Sequence, residues 1–269
     1  MLRTPWGVML IDIGIGPRTA AKRLEGTGVS VGDIKAICLT HLDRDHFNPS
    51  WVRTIVTHGI RVFCGADRRP HLLRDLDHHP LAAEFAELVE SFDGEPFDPL
   101  PGLTARAIRL DHDMAGSHGF CFEGFNCRVG YASDLGRVPD VLIECFEDVD
   151  LLAIESNYDA EMQRNRARPW FLKKRIMGGF GHLSNEQAFA AVRAILGRSL
   201  KKRNRLPEHI VLLHRSRECN CPDVMRGLFH QDLRIAPRLT VADQFERSGW
   251  LRIKGHKPLT GAQLSLAWG

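Results

Sequence analysis

The stretch THLDRDHF, residues 40–47, sets two histidines and two aspartates within six positions: His41, Asp43, Asp45 and His46. Side chains of these types are borderline or hard metal donors. From a tight turn, His41 and Asp43 can point one way and Asp45 and His46 the other, as two adjacent ions would require. A merely polar loop is the competing reading. The segments around it weigh the two.

The run IKAICLTH (34–41) reads as a strand that delivers His41 at its C-terminal end. Upstream, GVMLIDIG (7–14) is a buried strand and GPRTAAKRLEGTG (16–28) a helix closed by glycine. Downstream come a short helix, NPSWVRTIVTHG (48–59), a third strand, IRVFCG (60–65), and a helical stretch over 71–87. Strands alternating with helices imply an α/β layered fold, in which ligands usually sit at the C-terminal ends of the strands.

The second half repeats the theme. LTARAIRLDHD (103–113), HGFCFEG (118–124), CRVGYASD (127–134), VDLLAIESN (149–157) and HIVLLH (209–214) read as strands. VPDVLIECFED (138–148), DAEMQRN (159–165), PWFLKKRIM (169–177) and SNEQAFAAVRAIL (184–196) read as helices. The last opens on a capping box, Ser184 with Gln187 three residues on. A helix near 222–232 and two short strands, RLTVADQF (238–245) and WLRIK (250–254), finish the pattern. Four apolar strands thus end in ligand-type residues: His41, His112, Asp134 and His214. One such ending is commonplace, but four converging on one sheet edge favour a metal site. The basic run KKRNR (201–205) falls between a helix and a strand and reads as a solvated loop.

Composition narrows the class. The 269 residues carry a formal charge of +3, compatible with an anionic substrate but far from a histone-like polycation. Seven scattered cysteines, Cys38, Cys64, Cys121, Cys127, Cys145, Cys219 and Cys221, argue for reduced thiols rather than a disulfide framework. Cys219 and Cys221 form a lone C-x-C, a weak metal signal. No secretion signal is visible, and no apolar run approaches the roughly 20 residues needed to span a membrane. A soluble cytoplasmic protein is expected.

Against this background H-x-D-x-D-H resembles the H-x-H-x-D-H motif of the metallo-β-lactamase fold, a four-layer αββα sandwich of one- or two-metal hydrolases. LDHDMAGSHGF, GYASDLGRVPDVL, LLAIESNYDAEM, PWFLKKRIMGGFGHLSNEQA and VLLHRSRECN are similar to successive motifs of its bacterial WalJ/VicX-type branch. Members of that branch are regarded as nucleases, with 5′-to-3′ exonuclease activity on DNA. The resemblance implies one domain over 1–269, two divalent metal ions (zinc or manganese, with iron as a further candidate) and a nucleic acid substrate. Carried over by position, His41, Asp43 and His112 would hold one ion and Asp45, His46 and His214 the other, with Asp134 bridging. Asp45, Asp134 and His182 are the implied catalytic groups. Lys173, Lys174 and Arg175, with the 201–205 run, are candidates for positioning phosphates.

The sequence departs from the family pattern twice. Asp43 stands where the family has histidine, which adds an oxygen donor and negative charge and favours manganese or iron over zinc. Met1 also falls after the glycine/serine-rich turn that opens relatives, so the sandwich is expected with or without its first strand. Competing functions are a small-molecule hydrolase of the same fold (lactonase, β-lactamase-like or thioesterase) and an accessory protein with partial metal binding. Other polar residues have two readings each. His182 either starts a helix or contacts the scissile phosphate. Glu155, Ser156 and Asn157 support the ligands, and Asp12 is expected to hydrogen-bond a ligand histidine or to be an ordinary strand-end polar group. Asp113 and His118 are loop residues or substrate contacts, and His78 and His79 lie on the surface.

Overall fold

The computed structural model describes residues 1–254 and the backbone of 265–266. The chain divides into two compact units, Met1–Ala107 with the segment from Gly249 onward, and Ile108–Ser248.

In the first unit the chain runs β1 (Leu2–Thr4), β2 (Gly7–Ile11), α1 (Pro17–Leu24), β3 (Ile34–Cys38), α2 (Val52–His58) and β4 (Arg61–Gly65). It continues through α3 (Arg69–Asp75), α4 (Ala82–Glu87), β5 (Val89–Phe92), β6 (Phe97–Leu100) and into β7 (Leu103–Leu110), inside which the division falls. β2, β3, β4 and β5 are parallel neighbours. β1 lies antiparallel between β2 and β14 (Ser265–Leu266), with β13 (Leu251–Arg252) outermost. C-terminal strands therefore fill the sheet edge that the sequence reading left open. One apolar cluster joins this sheet to its helices, through Val8, Ile34, Ile37 and Val62 on strands and Leu24, Ile55, Leu72 and Phe85 on α1 to α4.

The helical stretch expected over 71–87 is two short helices. Pro80 lacks an N–H and biases His79 away from helical backbone, so the chain breaks between α3 and α4.

The second unit contains β8 (Ser117–Gly124), β9 (Cys127–Ala132), α5 (Asp140–Phe146), β10 (Leu151–Glu155), α6 (Ala160–Asn165) and α7 (Trp170–Met177). Then follow α8 (Asn185–Arg203), β11 (His209–Leu213), α9 (Pro222–Phe229) and β12 (Leu239–Val241). The second sheet has the order β12-β11-β10-β9-β8-β7-β6. β9, β10, β11 and β12 are parallel, and β8 runs antiparallel to β9. Leu142, Phe146, Val192, Ile195 and Phe229 of α5, α8 and α9 pack with Leu152, Ile154, Ile210 and Leu212 of the strands. The Ser184 capping box forms as expected.

The 201–205 run is not a solvated loop. α8 continues through Arg203, and Asn204 closes it in the left-handed conformation at φ 54°. The run also meets the acidic segment 147–150. Lys202 Nζ lies 2.6 Å from Glu147, Arg203 pairs with Asp148 at 2.9 Å, and Arg205 pairs with Asp150. Asp148, only 4% exposed, also pairs with Arg128 at 2.5 Å. These cations serve the fold of their own unit.

None of the seven cysteines is in a disulfide. Burial pushes the Cys38 thiol well up and that of Cys64 up to about 12, as befits core residues rather than nucleophiles. Among the described residues no helix is long and apolar enough to cross a membrane.

Removing Asp148 takes from the Arg128 guanidinium, 23% exposed, its nearest carboxylate and leaves only the exposed Glu123 at 3.6 Å. Asp148→Ala is expected to lower stability by about 2–4 kcal/mol in urea denaturation, because one half of a buried pair is lost. An unchanged midpoint would show that the acidic segment only decorates the surface.

Candidate metal centre

In the first unit, parallel β2 and β3 bring Asp12 and the loop after Cys38 to the same edge. Asp12 N donates to the Cys38 carbonyl at 3.0 Å, and its carboxylate accepts from Thr40 N and Thr40 Oγ1, each at 2.8 Å. The same carboxylate lies 2.8 Å from His46 Nδ1. Asp12 is thus the group expected to hydrogen-bond a histidine, and it does so with φ at 62°, a conformation non-glycine residues rarely adopt. Thr40 Oγ1 also lies 2.9 Å from His41 Nδ1. Sequence reading missed Thr40, since a threonine beside a histidine carries no special signal.

With each Nδ1 held from behind, the Nε2 atoms are left to face the loop carboxylates. His41 Nε2 is 3.9 Å from Asp43 Oδ2, and His46 Nε2 is 3.7 Å from Asp45 Oδ2. Both imidazoles are buried, while Asp43 and Asp45 are 58% and 73% exposed. The loop is pinned by Ile13 N donating to the His46 carbonyl at 2.7 Å. Beside that bond, a β-carbon at Gly14 would fall 1.7 Å from the Asp45 carbonyl oxygen, so no larger residue fits.

The second unit gathers its own set. β9, β10 and β11 are parallel and in register, with Ile154 opposite Ala132 and Glu155 opposite Leu213. Asp134, Glu155 and His214 therefore emerge at one edge. Asp134 and His214 both turn left-handed just past their strands, at φ 54° and 52°. His112 lies two residues beyond β7, with its Nδ1 2.8 Å from the Gly181 carbonyl. That bond fixes Nδ1 as the protonated nitrogen and leaves Nε2 as a donor to a metal.

Asp134 Oδ1 lies 3.4 Å from His214 Nε2, 3.8 Å from His112 Nε2 and 3.9 Å from His182 Nδ1. The last two are beyond hydrogen-bond range, and the His112 and His214 spacings suit donors that share an ion with Asp134. Two bonds of about 2.1 Å meeting at the tetrahedral angle put their donors about 3.4 Å apart. Donor atoms of Asp134, His182 and His214 all lie within 4.8 Å of one another. With His182 paired to Glu155, the chemistry and spacing of His112, Asp134 and His214 fit a divalent cation.

Glu155 stands behind the cluster, fully buried. It accepts from Leu135 N at 3.0 Å, contacts His182 Nδ1 at 2.8 Å and lies 3.6 Å from His214 Nδ1. Burial alone would push its pKa up, but the imidazoles of His182 and His214 outweigh that and hold it below the usual carboxylate range. Burial likewise opposes charge on His182, and Glu155 more than compensates, raising the imidazole above its ordinary value. Asn157 Nδ2 donates to the His214 carbonyl at 2.7 Å, which holds the turn that presents that ring.

The expected residues thus fall into two groups, His41, Asp43, Asp45 and His46 in one unit, and His112, Asp134, His182 and His214 in the other. The remaining candidates have partners or positions of their own. Arg175 pairs with Asp113, Lys173 Nζ donates to the Arg164 carbonyl, and His118 is buried in β8. His78 is 82% exposed, the surface position expected of it.

A family model described as "Beta-lactamase superfamily domain" matches residues 9–210. The chain is 24% identical over 221 residues to "Exodeoxyribonuclease YycJ" of Bacillus anthracis, covering 81% of this chain and 78% of the relative. It is 24% identical over 229 residues to "Exodeoxyribonuclease WalJ" of Streptococcus pneumoniae, covering 83% and 79%. Among solved structures it is similar to the metallo-beta-lactamase fold protein YhfI from Bacillus subtilis, with a TM-score of 0.61 and 16% identity over 87% of this chain and 84% of that one.

Asp134 combines a ligand-type side chain with backbone that glycine would adopt more easily. Asp134→Gly and Asp134→Ala are both expected to lose bound metal, but the glycine variant should be the more stable by about 1 kcal/mol. Elemental analysis and thermal unfolding of the pair check this. Full metal retention in either variant would remove Asp134 from the donor set.

Proposed function

The chain belongs to the beta-lactamase superfamily as a hydrolase of the metallo-β-lactamase fold, and from that membership we propose that it cleaves phosphodiester bonds of DNA from the 5′ end. The observation that carries the reading is the approach of three imidazole nitrogens to one buried carboxylate oxygen, Asp134 Oδ1. The choice of DNA is supported by the two exodeoxyribonuclease relatives and by the net charge of +3. Disulfide-free thiols support a cytoplasmic setting.

In this reading His41, Asp43 and His112 would hold one divalent ion and Asp45, His46 and His214 the other, with Asp134 available to both. Bound there, the ions would neutralise charge on the phosphodiester and lower the pKa of a water. The chain's own groups do the rest. Asp12 and the Gly181 carbonyl fix the tautomers of His46 and His112. Glu155 raises the His182 imidazole above its ordinary value and orients it from behind, which favours its donating to a phosphate oxygen. Asp45, 73% exposed, accepts the proton of the attacking water.

The test is digestion of DNA labelled at the 5′ or the 3′ end by protein stripped with chelator and reloaded. Early release of the 5′ label as short products, dependent on metal, is expected. Intact DNA alongside rapid hydrolysis of a lactone or thioester would replace this reading with a small-molecule one.

Asp43 gives a second test. Its carboxylate makes the donor set richer in oxygen, which manganese or iron tolerates better than zinc does. Asp43→His is expected to move metal occupancy toward zinc, measured by mass spectrometry after equilibration with equal zinc and manganese. Identical occupancy in both proteins would make Asp43 a bystander.

A further inference from the structure

α7 is an anomaly in its unit, because none of its residues is buried. It nevertheless opens with two large aromatic side chains, Trp170 and Phe171, which are 75% and 73% exposed. Soluble surfaces do not usually leave adjacent aromatic rings in water without a partner. Helical spacing puts Lys174 one turn from both rings, and no ion pair engages Lys174 among the described residues. Residues 164–175 contain six arginines and lysines and no acid, and Lys173 and Lys174 lie among them. Part of this charge is engaged within the unit, since Arg166 and Arg168 meet Glu218 and Arg175 meets Asp113.

A third exposed ring lies at the other end of the helix. Phe180 is 53% exposed, and the Arg137 guanidinium sits over its face, 5.5 Å from the ring centroid. The Phe180 carbonyl accepts from Asp113 N at 2.6 Å, and the next residue's carbonyl lies 2.8 Å from His112 Nδ1. This ring is therefore tied to the segment that carries His112 and His182. Along α7, at about 1.5 Å per residue, Trp170 starts about 12 Å of helix before the turn to Phe180. Exposed rings thus stand at both ends of a basic helix.

We infer that Trp170, Phe171 and the Arg137-capped Phe180 stack the unpaired bases of single-stranded DNA, while Lys173 and Lys174 follow its phosphates. The inference rests on the phosphodiesterase reading and names its substrate form. Aromatic rings interleaved with cations are the arrangement that binds single strands irrespective of sequence, since every base offers a π-face. A duplex hides those faces.

The test measures binding of the protein as purified to a phosphorothioate-linked oligothymidylate and to an abasic strand of equal length and charge. The wild type is expected to bind the thymidine strand roughly tenfold or more tightly than the abasic one. Trp170→Ala should fall to near the abasic level, whereas Trp170→Phe should keep most of the difference. Thermal unfolding confirms that both variants are folded. Equal binding of the two strands by the wild type, or no loss in Trp170→Ala, overturns the stacking role. So does an anionic phosphatidylglycerol vesicle that Trp170→Ala no longer binds while its DNA affinity is unchanged, for the face would then meet lipid. Wild-type hydrolysis of bis(4-nitrophenyl) phosphate, which has no nucleobase, reads the underlying chemistry separately. Its absence would sink the phosphodiesterase reading, and a stacking failure beside normal hydrolysis would sink this inference alone.

Discussion

Two buried carboxylates, Asp134 and Glu155, stand among three imidazoles, and this concentration of charge is the constraint around which the second unit is built. Glu155 is balanced from within, by His182 and by the Leu135 amide. The Asp134 side chain sits at ligand spacing from three histidine nitrogens. Reaching that position costs left-handed backbone at both Asp134 and His214, about 1–3 kcal/mol each. Such strain persists only where the surroundings over-determine it. Here the parallel register of β9, β10 and β11 does so, because it fixes where each chain leaves the sheet. The first unit repeats the device at Asp12, also left-handed, which holds His46 and Thr40 from behind.

Much of this was legible in the sequence. Buried parallel strands read as uninterrupted apolar runs, so IKAIC, LLAIE and HIVLL declared themselves, and the ligand-type residues just past them followed. The metallo-β-lactamase fold that the motifs implied is the fold of this chain. Other elements were hidden for physical reasons. β5 and β6 are four residues each and contain charged positions and a proline, too short to show a period against the helical pattern before them. The pairing of β1 with β14 joins residues at opposite ends of the chain, a contact no local pattern encodes. The coupling of Glu155 to His182 likewise depends on tertiary placement, although each residue ends or follows a segment that could be named.

The basic residues show how composition misleads without contacts. The run at 201–205 looked like a solvated patch, yet Lys202, Arg203 and Arg205 neutralise the acidic turn between α5 and β10. Arg175 is similarly committed to Asp113. With these cations committed to the fold, the exposed rings beside Lys173 and Lys174 carry the proposed recognition. Affinity for DNA would then depend less steeply on salt than in a protein that binds through phosphates alone.

The central claim is that the two histidine–aspartate groups are a metal centre rather than a polar network. Crystals of protein purified without chelator, measured on either side of the zinc, manganese and iron absorption edges, address it directly. The account expects two anomalous peaks per chain, with Asp134 liganding both and His182 paired to Glu155 rather than to an ion. Anomalous maps without a peak beside Asp134, with ordered water in its place, would contradict the account.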